Sequence, residues 1–244
     1  MSTPGKFVRH EASFRHWVTK DGRPGPSGEG GFAAESRRYH LYVSLACPWA
    51  HRVLVMRFRK GLADHISLSV VHWLLDEQGW SFRDGPGVIP DPIMNAHFLS
   101  DIYRAADRQY SGRFTVPVLW DKKRATIVNN ESSEIIRMMD LAFEDVAASS
   151  CGHYPERYRA EIDRVNARIY TTLNNGVYKA GFAATQATYE EAFRPLFETL
   201  DWLEARLSVQ RYLVGDAISE ADIRLFTTLI RFDVVYFRHF KCND

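Results

Sequence analysis

Leu41-Tyr-Val-Ser-Leu-Ala-Cys47-Pro48-Trp-Ala50-His51-Arg52 is an extended apolar run that stops at a Cys-Pro pair and passes straight into an amphipathic helical pattern. Proline suits the first helical position, where its missing N–H would have had no partner, so Cys47 falls at the cap. The unpaired N–H groups and dipole of a helix start stabilise a thiolate, and cysteines placed there titrate well below the free value of about 8.5. Cys47 is therefore expected to be partly thiolate at neutral pH. A dithiol redox motif carries a second cysteine three residues on, but here that residue is Ala50, so the chemistry should be monothiol with an external thiol. His51, one turn along the same helix, reads as a structural histidine before it reads as a tuner of the thiolate.

Outward from this stretch the pattern alternates. A strand is expected over Tyr39 to Ala46, a helix from Pro48 to about Leu62, a strand over Ile66 to His72, and then a long irregular segment. Two short strands follow, Thr115 to Trp120 and Thr126 to Asn130, joined by the charged turn Asp121 to Arg124, and then a helix from Glu131 to Phe143. The order is β-α-β, then β-β-α, as in thioredoxin-like domains. Beyond a loop around Ser149 to Tyr154, apolar spacing of three to four residues predicts helices over Tyr154 to Ala180, Thr188 to Leu207 and Glu220 to Phe237. Ser219-Glu-Ala-Asp222 reads as an N-terminal capping arrangement for the last of these. The fold class expected is an α/β thioredoxin-like domain over residues 39–148, preceded by a surface-laid arm and Gly/Pro-rich loop over 1–38 and followed by an all-α domain over 149–244.

Composition narrows the function. The 244 residues are 45% hydrophobic and 25% charged, enough to bury a core, and 31 Lys plus Arg against 30 Asp plus Glu leave no electrostatic footprint of a nucleic-acid binder. Small molecules are the expected partners. No signal-peptide core or membrane-length apolar run is read, so a reducing cytoplasm is expected. Cys47, Cys151 and Cys242 are too scattered for a disulfide framework and no zinc spacing occurs, so no metal is expected. Cys151 and Cys242 lack a helix-start context and read as inert.

Two further features carry chemistry. Pro117, in Thr-Val-Pro-Val, reads as lying inside a strand, where proline removes a ladder donor. In a thioredoxin-like sheet this place is a cis proline facing the cysteine, which leaves the Val116 backbone free to pair with a bound peptide. The run Val128-Asn-Asn-Glu131-Ser132-Ser-Glu134 sets an acid and hydroxyls at a strand-to-helix junction, suited to the ammonium and carboxylate of an amino acid. The competing reading is that Ser132 or Asn130 only caps the helix while Glu131 complements its dipole.

These features, with Asp76-Glu-Gln-Gly-Trp80-Ser-Phe82, Asn174-Asn-Gly-Val-Tyr178-Lys179, Arg231-Phe-Asp-Val-Val-Tyr236 and His239-Phe-Lys-Cys-Asn243, make the chain resemble the xi-class glutathione transferases, the glutathionyl-hydroquinone reductases. The resemblance implies that the Cys47 thiolate attacks the sulfur of a glutathionyl-hydroquinone and becomes a mixed disulfide with glutathione, which a second glutathione resolves. It also implies that Glu131 and Ser132 hold the γ-glutamyl end and Val116, beside Pro117, pairs with the cysteinyl backbone. Trp80 and Arg113 reach glutathione from loops, with Arg104 close to Arg113 in sequence, and Tyr178 and Tyr236 line the hydroquinone site. Glutathione is then a co-substrate, no cofactor is bound, and a homodimer is usual. Family members continue past the His-Phe-Lys-Cys-Asn element with further helices, so a helical domain shortened relative to the family is expected here. A glutaredoxin-like thiol transferase or dehydroascorbate reductase would use the same monothiol site, and a non-catalytic glutathione-binding protein is the alternative of another class.

Overall fold

The protein is described by a computed structural model over residues 5–149 and 151–243; Met1 to Pro4, Ser150 and Asp244, which fall in the expected arm, loop and helical domain, lie outside the described residues. The chain forms two compact units, one of Ala12–Cys151 and one of Met1–Glu11 with Gly152–Asp244.

In the first unit β1 (Tyr39–Val43), α1 (Pro48–Arg59), β2 (Ile66–Val70), α2 (Leu99–Ala106), β3 (Val118–Asp121), β4 (Thr126–Asn129) and α3 (Ser132–Leu141) follow in order. The sheet runs β2-β1-β3-β4, with β1 parallel to β2 and antiparallel to β3, and β3 antiparallel to β4. This is the thioredoxin-like arrangement. Every residue of β1 is buried, as expected of a central strand covered on both faces. On α1, Ala50, Val53 and Met56 are fully buried at helical spacing and face the core. The Lys60 ammonium, just past that helix, pairs with Asp140 of α3 at 3.4 Å, both side chains buried.

Three local features differ from the sequence reading. The segment expected to be irregular contains α2, whose apolar Leu99, Ile102 and Tyr103 are buried and whose Asp101 carboxylate accepts the Phe98 N–H at 2.9 Å. Its eight residues give barely two turns, too short for periodicity to stand out. The third strand begins at Val118 rather than Thr115, because Pro117 offers no N–H to the ladder and pairing starts after it. The arm does more than lie on the surface: Arg15 bridges Asn129, with His16 N–H donating to the Val128 carbonyl at 3.0 Å and Asn130 N–H to Phe14 at 3.1 Å. It covers the otherwise unpaired edge of β4. Arg38 ties the arm's end to the sheet, donating through Nε to Asp121 at 2.9 Å and through its terminal nitrogens to Glu35, Gly31 and Asp121 again.

The second unit holds α4 (Arg159–Ile169), a π-helical turn Tyr170–Asn174, α5 (Gly176–Gly181), α6 (Gln186–Leu207), α7 (Glu220–Leu229) and a π-helical segment Phe232–Phe237. Ile162, Ile169, Leu173, Val177, Leu196 and Ala221 form its core. Within the range expected to be helical, Tyr154 to Ala180, a π turn separates α4 from α5, and there the buried Asn174 amide donates to the Arg224 carbonyl at 3.2 Å and the Thr228 hydroxyl at 2.7 Å. No helix among the described residues is long and apolar enough to cross a membrane.

One polar group in the sheet core makes stability depend on pH. His40 of β1 is fully buried, its Nδ1 2.7 Å from the Ser67 hydroxyl and its Nε2 2.8 Å from Ser69, whose own hydroxyl donates to the Pro90 carbonyl. Burial, with Lys122 and Arg57 adding to it against Asp91, lowers its pKa to about 4. The unfolded chain protonates this group near pH 6.5 while the folded chain does not, so its contribution is complete above pH 6.5 and is lost as pH falls toward 4. Urea unfolding should show about 3 kcal/mol of stability lost over that window from this site alone, and His40→Gln should flatten the slope; an unchanged slope would refute the assignment.

Candidate functional site

The site begins where β1 stops. Cys47 N–H donates to the Ser44 carbonyl at 3.2 Å, closing a turn, and Cys47 then takes the N-cap position of α1 in an extended conformation, with Pro48 at the first helical place. Its carbonyl accepts the His51 N–H at 3.0 Å as the first helical bond. The sulfur is half-buried and lies 3.6 Å from the Val116 carbonyl oxygen, to which the thiol donates. Trp49 and Arg52 stack on the same helix, the guanidinium carbon 4.5 Å from the ring centre. The residue a dithiol motif would use is the fully buried Ala50.

The Val116–Pro117 bond is cis and both residues are buried. Among the described residues no hydrogen bond occupies the Val116 N–H. An extended peptide lying beside Val116 would find a backbone donor there.

Glu131 is the N-cap of α3, so neither Ser132 nor Asn130 fills that position. Its carboxylate accepts the Ser133 N–H and the Ser133 hydroxyl, each at 2.9 Å, and Ser132 Oγ is 3.5 Å away. Asn130, one residue earlier, is instead spent on anchoring. Its amide oxygen accepts the Phe14 N–H at 3.1 Å and its nitrogen donates to the Tyr103 hydroxyl at 3.0 Å.

Tyr103 is a residue that sequence reasoning missed, because it sits on the unrecognised α2. Its hydroxyl donates to the Thr115 carbonyl at 2.7 Å and accepts from Thr115 N–H at 3.2 Å as well as from Asn130. One buried phenol thus ties the chain just before Val116 to the chain just before Glu131. Desolvation raises its pKa to about 12, so it stays a donor at neutral pH. The only sequence signal was an apolar i, i+3, i+4 set, which marks core and not position.

The loop residues are fixed by backbone bonds. Trp80 is half-buried, its carbonyl accepting the Leu99 N–H at 2.8 Å, and a tight turn from Asp76 to Gly79 precedes it, with Gly79 at φ +95° as glycine permits. Arg113 is exposed, its carbonyl accepting from the Tyr110 hydroxyl at 3.0 Å. Arg104 lies over the Phe114 ring at 5.5 Å. In the other unit Tyr178 is half-buried and Tyr236 is 2% exposed, their ring centres 6.1 Å apart and edge to face. The remaining cysteines differ sharply: Cys151 is exposed, and Cys242 is fully buried with its thiol pushed up to about 12 by desolvation. Among the described residues no group of three or more His, Cys, Asp or Glu could hold a metal ion.

Residues 46–142 match the family of glutathione S-transferase N-terminal domains and residues 186–243 that of the C-terminal domains. The glutathionyl-hydroquinone reductase PcpF of Sphingobium chlorophenolicum is 54% identical over 99% of this chain and 74% of its own length. The glutathionyl-hydroquinone reductase YqjG of Escherichia coli is 57% identical over 99% of this chain and 74% of its own. The glutathione-bound structure of YqjG superposes with a TM-score of 0.92, covering 95% of this chain and 76% of that one. The xi glutathione transferase of Phanerochaete chrysosporium, 51% identical, also gives 0.92, over 97% of this chain and 79% of that one.

The cap geometry of Glu131 separates its two possible duties. Glu131→Gln keeps an oxygen for the Ser133 N–H and should unfold within a few tenths of a kcal/mol of the parent, whereas Glu131→Ala should lose about 1 kcal/mol. If the carboxylate also binds the ammonium of glutathione, calorimetry will find affinity lost in both variants. Full affinity in Glu131→Gln would leave Glu131 a cap and nothing more.

Proposed function

Because the chain belongs to the xi-class glutathione transferases, the family of the glutathionyl-hydroquinone reductases, we propose that it reduces glutathionyl-hydroquinones to hydroquinones with glutathione as co-substrate and Cys47 as nucleophile. The observation that carries this reading is the Cys47 sulfur at the start of α1, 3.6 Å from the Val116 carbonyl at a cis-proline, in a chain 54% identical to one such reductase and 57% to another.

In the first half-reaction the thiolate forms a sulfur–sulfur bond to the glutathionyl sulfur. The ring first moves a hydroxyl proton to its sulfur-bearing carbon; as the carbon–sulfur bond then breaks, its electron pair passes through the ring to that oxygen, which takes up a proton. In the second, the thiolate of a free glutathione attacks the mixed disulfide and releases glutathione disulfide and the Cys47 thiolate. The ring is reduced by two electrons and two glutathione sulfurs are oxidised to one disulfide, so no resident cofactor enters the balance. Ala50 supports this route, since no neighbouring thiol competes to resolve the mixed disulfide.

In this reading Val116, released from the ladder by Pro117, pairs with the cysteinyl backbone of glutathione, and Glu131 with Ser132 holds the γ-glutamyl group. Trp80 and Arg113 contact glutathione from their loops. Tyr178 and Tyr236 hold the hydroquinone, a phenol O–H donating to the oxygen on which charge builds as the carbon–sulfur bond breaks. A homodimer working in a reducing cytoplasm completes the proposal.

Incubation with glutathione and a glutathionyl-hydroquinone, with free hydroquinone followed by chromatography, tests it. The parent should release hydroquinone, and Cys47→Ala should lower the rate by roughly a thousandfold or more, as removal of a covalent nucleophile does. A folded parent that binds glutathione but releases none would overturn the reading.

A further inference from the structure

Residues 5–10 form a strip without regular secondary structure within the helical unit, and their exposure alternates: Gly5, Phe7 and Arg9 are partly buried while Lys6, Val8 and His10 are exposed. The strip is fastened at one end by Ala184 N–H donating to the Gly5 carbonyl at 3.2 Å and by Lys6 pairing with Glu191 at 2.6 Å. At the other end the Arg9 guanidinium lies over two rings, 4.7 Å from the centre of Tyr178 and 5.2 Å from that of Phe7. Arg9 Nε also donates to the side-chain oxygen of the buried Asn175, which is on the same stretch of chain as Tyr178. Phe7 itself stacks on Tyr178 with ring centres 5.9 Å apart.

We propose that Arg9 is a positioning residue for Tyr178, holding its ring in place and placing a positive charge over the face of the phenol that donates to the hydroquinone. The inference rests on the assignment of Tyr178 to the hydroquinone made above. Two physical effects favour it. A planar guanidinium fixed by Asn175 restricts the ring to one orientation, which removes the entropy of finding the donating pose. A cation over an aromatic face is attracted to ring electron density, and that density rises as the phenol gives up its proton, so the attraction is greater in the transition state than in the ground state. In this role Arg9 acts on the phenol and not on the thiol, so thiol exchange that needs no phenol should not sense it.

The test compares two substrates on the full chain. Arg9→Gln should lower kcat for hydroquinone release by about tenfold, between the scales of an exposed and a desolvated cation–π contact, with KM for glutathione unchanged. Its rate of reducing the glutathione mixed disulfide of hydroxyethanethiol should match the parent. Arg9→Lys should recover part of the loss. In the Tyr178→Phe background, Arg9→Gln should cost no further rate, since the group it acts through is already gone. Lys6→Ala, which weakens the same strip away from the rings, should leave both rates within about twofold of the parent, on the scale of an exposed ion pair. Equal losses on both substrates, a full additional loss in the Tyr178→Phe background, or an unchanged kcat in Arg9→Gln would each overturn the proposal. A parent that reduces the mixed disulfide but releases no hydroquinone would instead overturn the functional reading, and Arg9 would have no such reaction to serve.

Discussion

The burial of β1 on both faces and its pairing on both edges is the constraint from which the site follows. A strand held by β2 on one side and β3 on the other cannot slide without turning its apolar residues out of the core. The place where it ends is therefore fixed, and the Ser44-to-Cys47 turn delivers the sulfur to the start of α1 at that place. The antiparallel neighbour β3 brings Val116 and Pro117 to the same end of the sheet, because Tyr42 stands opposite Val118 in the register. The 3.6 Å approach of sulfur to the Val116 carbonyl is a consequence of strand register before it is a feature of the cysteine.

Much of this was legible in the chain itself, for a physical reason. Cys47-Pro48 combines a fixed φ, a missing donor and an abrupt change of period, and each is a local property that tertiary contacts cannot reverse. The order of strands and helices followed from the same periodicities. What escaped was set by contacts distant in sequence. Nothing near Tyr103 announces that its hydroxyl serves Thr115 and Asn130, 12 and 27 residues away. The Glu131 cap was misjudged because Ser and Asn are better caps on average, and here the buried Asn130 is committed to Phe14 and Tyr103. The pairing of Phe14 to His16 with β4 was hidden because a single bridge leaves no alternating pattern to read.

Tyr103 also explains how two loops with no sequence relation can be kept in one geometry. A ligand that needs Val116 at one end and Glu131 at the other requires their separation to be held to a fraction of an ångström, and loops alone do not offer that. A phenol that is fully buried, bonded to Thr115 just before the one and to Asn130 just before the other, and too poor an acid to ionise makes the separation a property of the core.

Ala50 has a consequence of its own. A protein with a neighbouring thiol closes its own disulfide and can wait, oxidised, for a reductant to arrive. Here the position is a methyl group sealed in the core of the sheet domain, so an oxidised Cys47 finds no thiol at that place to resolve it. How long it stays modified is then governed by the supply of thiol in the surrounding solution, and the fraction of the protein found as a mixed disulfide becomes a readout of that supply.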